Sequence, residues 1–95
     1  MATIRRLVLD TLKPHNPNII EWAGQISELN GIQAVNISIY EVDHKVENAK
    51  ITIEGEKISY DDVRHKVAEL GGTIHSIDEV VAGRQIIDDA DTLQD

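Results

Sequence analysis

Asp10, His15, Asp43, His44 and His75 are the residues whose chemistry no hydrophobic pattern explains. Imidazoles and carboxylates together can hold a divalent cation; softer metals are drawn to the histidines, calcium or magnesium to the oxygens. Asp78 and Glu79 add two carboxylates, and Arg5 and Arg6 add two cations near the start. The spacing matches no compact motif. HExxH is absent, and the ending DDADTLQD lacks the glycine and terminal glutamate of an EF-hand loop. Lys45 and Lys50 could draw an anion, but KPHNPN, Lys13 to Asn18, has no glycine to cradle a phosphate. No serine, histidine and acid arrangement follows from these separations, so no catalytic set is assigned, and His65 is given no role.

Composition narrows the partners. The chain has 95 residues, enough for one domain with its own core, and no cysteine, which excludes disulfides, zinc fingers, iron–sulfur ligation and thiol nucleophiles. Seventeen acidic against nine basic residues give a net charge of −8, which repels phosphate backbones. Trp22, Tyr40 and Tyr60 are all the aromatics, and only Tyr40 is placed to stack a base on a sheet. Nucleic acid is therefore not expected as a partner. No run of 18 apolar residues and no signal peptide occur, so no membrane partner is expected and a cytoplasmic location is.

The elements that must position these groups follow from periodicity. Thr3 to Leu12 reads as a strand with Leu7 and Leu9 on one face and Ile4, Val8 and Leu12 on the other; two apolar faces place it inside a sheet. Asn16 before Pro17 signals a helix starting at Pro17, with Ile19, Ala23, Ile26 and Leu29 as its stripe and Gly31 as its terminator. Ile32 to Val42 alternates as a strand. Asp43 to Asn48 turns into the strand Ala49 to Glu54, and the two make a hairpin. Ser59 with Asp62 caps a second helix carrying Tyr60, Val63, Val67 and Leu70, which Gly71-Gly72 ends. Thr73 to Ala82 is the last strand. Residues 1–87 form one domain on this reading, and residues 88–95 an acidic tail expected to be mobile.

The order strand, helix, strand, strand, helix, strand is the split βαβ arrangement of an α+β, ferredoxin-like fold. Right-handed crossovers give the sheet order 4-1-3-2 with both helices on one face. Strands one and four are then antiparallel neighbours. Setting Leu7 opposite Ile77 and Leu9 opposite His75 also brings Arg6 to Asp78 and Arg5 to Glu79, so that register is expected. It makes His75 a partly buried neighbour of Leu9, leaves His15 and His44 in solvated loops, and gathers Asp10, His15, Asp43, His44 and His75 at one rim of the sheet, where strands one and two finish and strand four begins. On the helix-free face, Ile4, Val8, Leu12, Tyr40, Ile74 and Val80 would form an apolar patch, which predicts assembly with other chains.

Four segments, IRRLVLDTLKPHNP, VNISIYEVD, KITIEGE and IHSIDEVVAG, resemble the archaeal family known as domain of unknown function 211. The resemblance runs from Thr3 to about Ile87. It implies a ferredoxin-like fold, a cytoplasmic archaeal protein and ring-like homo-oligomers, with no established activity. It places the family's acidic and histidine positions on Asp10, His15, His75, Asp78 and Glu79. The resulting expectation is a homo-oligomeric module of regulatory or structural role, a closed ring, that binds a small ligand or a divalent cation between subunits; the cation, calcium favoured, is shared between Asp10, with or without His75, of one subunit and Asp78 or Glu79 of the next. The competing expectation is an enzyme whose site lies between subunits, with His75 and Asp10 as acid and base.

Overall fold

A computed structural model describes residues 3–87. The element order is β1 (Ile4–Pro14), α1 (Ile19–Ser27), β2 (Ile32–Val42), β3 (Val46–Gly55), α2 (Tyr60–Glu69) and β4 (Thr73–Ala82). All neighbouring strands are antiparallel, and the sheet order is β2-β3-β1-β4, the 4-1-3-2 order expected. β1 is interior. Leu7 and Leu9 on β1, and Ile51 and Ile53 on β3, bury one face against Trp22 and Ile26 of α1 and Val63 and Val67 of α2. Both helices therefore share that face. The acidic tail anticipated over residues 88–95 lies outside the described residues.

Local chemistry sets the helix ends. Two asparagines flank Pro17, and the one that caps is Asn18, whose Oδ1 accepts from the amides of Ile20 (3.0 Å) and Glu21 (3.2 Å). The helix thus begins at Ile19, not at the expected Pro17; the Asn16–Pro17 peptide is cis. Ser59 caps α2 as expected, accepting from Asp62 N at 3.2 Å. Gly31 holds φ at 85°, and its carbonyl takes the amide of Glu56 at 3.0 Å, tying the α1–β2 turn to the end of β3. The hairpin turn is tighter than expected. Only residues 43–45 separate β2 from β3, because the Asp43 carboxylate accepts from the amides of Lys45 (2.8 Å) and Val46 (2.9 Å).

The pairing of β1 with β4 differs from the expected register. Leu7 faces Val80, Val8 faces Glu79, Leu9 faces Ile77, Asp10 faces Ser76 and Thr11 faces Ile74. His75 and Asp78 have no partner on β1, and Arg5 has none on β4. Each is the extra residue of a β-bulge. The expected register is an unbroken ladder that keeps the two faces apart and makes two charge pairs. The pairing follows the apolar spacing of β4: Ile74, Ile77 and Val80 recur every third residue, and an inserted residue between each pair brings all three to the face of Leu7, Leu9 and Thr11, where Ile74 packs against the core and the other two stay half exposed. His75 is consequently exposed rather than half-buried beside Leu9.

The same shift reduces the expected apolar patch on the helix-free face to Val8, Leu12 and Tyr40, with Val81 added opposite Arg6. Ile4 and Ile74 pack against the helix-side core, and Val80 lies opposite Leu7. The open face also carries Arg6, Asp10, Lys50, Thr52, Glu54 and Glu79 in register across β3, β1 and β4. Arg6 Nε pairs with Glu54 at 2.8 Å and its Nη1 with Glu79 at 3.2 Å, joining three strands over Val8. The carbonyl of Ile87 lies 3.5 Å from Arg6 Nη1, while the Ile86 and Ile87 side chains stay exposed, so the described part of the C-terminal segment touches this face without burying its apolar groups there.

Gly72 sits where a methyl group would overlap the Trp22 indole and lie 2.9 Å from the Leu12 carbonyl. Gly72→Ala should therefore overpack the core and cost about 1–3 kcal/mol, read as a lower urea midpoint at unchanged slope.

Candidate functional site

The charged groups collect along β1, which from Arg6 onward presents odd residues to the helices and even residues to the open face. Lys13, read from the sequence as the first loop residue, is instead the last helix-side position of the strand, in the series Leu7, Leu9, Thr11, Lys13. Its side chain is fully buried. The ammonium donates to Pro14 O (2.7 Å), His15 O (3.4 Å) and Glu47 Oε1 (3.0 Å), and lies 5.7 Å from the centre of the Trp22 ring. A buried ammonium needs this many partners, since its desolvation must be offset by hydrogen bonds and by the face of an aromatic ring. The alternation of β1, carried two residues further, is the signal that would have found it.

Glu47 is shared. Its second oxygen, Oε2, lies 3.0 Å from His15 Nδ1, so one carboxylate of β3 clasps the end of β1 and the residue that follows it. His15 is raised above its ordinary 6.5, first by the hydrogen bond to Glu47 and then by the backbone of His44. Glu47 is held below its ordinary 4.5, first by His15 and then by Lys13. Asp43 is lowered by the Val46 and Lys45 amides, with His15 nearby adding to the effect. The expected solvated His15 is therefore a partnered one. His44 is exposed, as expected.

Asp10 does not join that group. It faces the open side between Lys50 and Ser76, and accepts a hydrogen bond from Tyr40 Oη, which reaches it from β2 across β3. The Asp10 carboxylate raises the Tyr40 phenol above its ordinary 10. Tyr40 is the bulged residue of β2 at this point, since Ile39 pairs with Ala49 and Glu41 with Asn48. On β4, Asp78 accepts from Ser76 Oγ at 2.7 Å and Glu79 is held by Arg6. The rim expected to gather Asp10, His15, Asp43, His44 and His75 is thus divided: His15 and Asp43 come together, while Asp10 and His75 lie along β1 and β4. Among the described residues of one chain, no three histidine or carboxylate side chains converge as a cation site.

Two hollows flank this framework. One, of about 510 Å³, lies on the open face and is lined by Asn36, Ser38, Lys50, Thr52 and Glu54. The other, of about 780 Å³, lies at the far end of the sheet among Ile4, Gly31, Lys57, Ile58 and Asp62. Among the described residues, no helix is long and apolar enough to cross a membrane.

The family model for domain of unknown function 211, described as an uncharacterised ArCR family, matches residues 5–95. The chain belongs to this family. An uncharacterised protein of the archaeon Methanocaldococcus jannaschii is 52% identical over 95 residues, covering 100% of this chain and 98% of that protein. A domain of unknown function 211 protein thus has the α+β, ferredoxin-like arrangement described above.

The clasp at Glu47 gives a pH dependence whose sign follows from its two partners. The raised His15 contributes stability that is fully present below pH 6.5 and is lost as pH rises through its folded-state value. The lowered Glu47 contributes stability present above pH 4.5 and lost as pH falls through its own. Both contributions are complete between pH 4.5 and pH 6.5. His15→Gln should lower the urea midpoint most in that window, the gap closing at alkaline pH. NMR titration of the His15 ring protons should show a midpoint above 6.5. Glu47→Gln, which leaves the Lys13 ammonium without a carboxylate, should destabilise more than His15→Gln across the range.

Proposed function

We propose that this domain is a self-assembling, non-enzymatic module that shares a divalent cation, calcium first, between subunits of a closed homo-oligomeric ring. Asp10 and His75 of one copy supply one side of the cation site, and Asp78 and Glu79 of the next copy supply the other. The observation that carries this reading is the pair of bulges in β4. His75 and Asp78 are the two residues those bulges take out of the β1–β4 ladder, on an outer strand of the sheet. Bulges at sheet edges re-aim side chains, and here both residues are exposed, His75 as an imidazole and Asp78 as a carboxylate that also accepts from Ser76 Oγ. Asp10 lies on the open face one strand in, opposite Ser76, between those two positions.

Oxygen-rich donor sets of this kind suit a hard cation. A chain of net charge −8 repels its own copies at low salt, and a cation held between carboxylates of two copies reverses that repulsion where they meet. Glu79 would move between Arg6 and the cation, so the ion would compete with an existing pair rather than find a vacant carboxylate.

Calorimetric titration of chelator-treated protein with calcium, magnesium and zinc tests this directly. Calcium should release or absorb heat, raise the melting temperature by the equivalent of about 2.7 kcal/mol at a hundredfold excess over Kd, and increase the mass seen by light scattering. Asp78→Asn and Asp10→Asn should each abolish all three responses. No heat and no melting shift with any of the three ions would end the proposal.

A further inference from the structure

The hollow at the far end of the sheet is built by two connections that hold each other. The carbonyl of Gly31, between α1 and β2, accepts from the amides of Glu56 (3.0 Å) and Lys57 (3.4 Å), which lead from β3 to α2. The approach is close. A Cβ on Gly31 would overlap the Lys57 carbonyl, and its φ of 85° is one that side chains rarely adopt. Ile58 then donates its amide to Ile4 O at 3.0 Å, which ties the second connection to the start of β1. The walls are thus backbone joined to backbone, a preformed frame rather than free loop.

Its lining has an apolar part and a polar part. Ile58 is buried and Ile4 half-buried, and both pack with the core, so the aliphatic surface they present is fixed in place. Around it stand Thr3, Asn30, Lys57 and Asp62, and among the described residues none of these four side chains has a hydrogen-bond or ion-pair partner. Arg6 and Lys13, by contrast, each hold carboxylates. Asp62 sits three residues after the capping Ser59 and donates its amide to Ser59 Oγ at 3.2 Å, but its carboxylate makes no return bond of the capping-box kind. One cation and one anion therefore border an aliphatic surface, and neither is used by the fold.

The ligand follows from what such a lining rejects. A plain anion meets Asp61 and Asp62 in the first turn of α2, on a chain of net charge −8. A plain cation meets Lys57. A wholly apolar molecule would take both charges out of water without a compensating partner. A small zwitterion with an aliphatic group meets none of these objections. We propose that this hollow binds a free α-amino acid with an aliphatic side chain of leucine size, its carboxylate on Lys57, its ammonium on Asp62 and its side chain over Ile4 and Ile58. Asn30 and Thr3 stand ready to hydrogen-bond the carboxylate, and the flexible stem of Lys57 lets its ammonium follow the ligand. A volume of about 780 Å³ lies within the range of small-molecule sites.

None of these residues belongs to the proposed cation site, so the test is run in excess chelator and stands apart from that reading. The isotope-labelled full chain is titrated with L-leucine and followed by its amide NMR shifts. Saturable shifts should appear at residues 3–4, 30–31 and 57–62, with a Kd in the millimolar range or tighter. N-acetyl-leucine and leucinamide, each lacking one of the two charges, should bind at least about tenfold more weakly. Lys57→Gln and Asp62→Asn should each weaken leucine by a similar factor, and Lys57→Gln, at an exposed position, should leave the melting temperature unchanged. Absence of saturable shifts, shifts centred elsewhere, leucinamide or N-acetyl-leucine binding as tightly as leucine, binding unaffected by both variants, or binding that appears only after removal of residues 1–2 would each overturn the proposal.

Discussion

β1 must satisfy a neighbour on each side, and two cations at its ends do so in a chain that is otherwise short of them. Arg6, near the start, reaches Glu54 on β3 and Glu79 on β4 across the open face. Lys13, near the end, turns to the opposite face and closes on Glu47 of β3 beneath the Trp22 ring. Between these pins, Leu7 and Leu9 carry the core. With seventeen acidic and nine basic residues, the sheet would place carboxylates of adjacent strands near one another without these bridges. Lys13 contributes differently from Arg6. Arg6 is planar and forked, and joins two carboxylates near the surface, whereas Lys13 is a buried point charge whose hydrogens are taken by two backbone carbonyls and one carboxylate.

The course of the chain was legible because each element states its period plainly. Val35, Ile37 and Ile39 alternate; Val63, Val67 and Leu70 recur by turns; Ser59 and Gly71 mark the limits of α2. The ladder between β1 and β4 was not, because pairing by charge and pairing by hydrophobicity disagree there. Arg6 opposite Asp78 is attractive on paper, but a surface pair of this kind is worth under about 1 kcal/mol. Aligning Ile74, Ile77 and Val80 with Thr11, Leu9 and Leu7 puts all three on the helix side, where Ile74 packs against the core and Ile77 and Val80 stay about half exposed. Arg6 pairs with Glu79 instead of Asp78, and the two residues left over, His75 and Asp78, become bulges.

The strand that carries each candidate residue was legible, and the grouping of these residues was not. Asp10, His75, Asp78 and Glu79 do lie along adjoining strands, yet the shift of β4 places Ser76 opposite Asp10 and gives Glu79 to Arg6. His15 looked like a loop histidine because KPHNPN reads as loop throughout. The strand in fact continues through Lys13 and Pro14, and that extension brings His15 to Glu47. A lysine at the end of a strand is ordinarily read as solvated. Only the parity of its position, two beyond Thr11, marks it as inward-facing, and a buried lysine is rare enough that pattern reading discounts it.

Sheet edges bear on how such a domain meets other chains. Bulges and charge make β4 a poor template for strand addition while freeing side chains for polar contact. β2 keeps an uninterrupted neutral run, so its natural contact is backbone to backbone. One sheet thus has an edge suited to side-chain recognition and an edge suited to strand pairing. The asymmetry follows from where inserted residues fall: Gln33 and Tyr40 leave the middle of β2 intact, whereas His75 and Asp78 interrupt β4 in its first half and its middle. An assembly using both edges need not repeat one kind of contact.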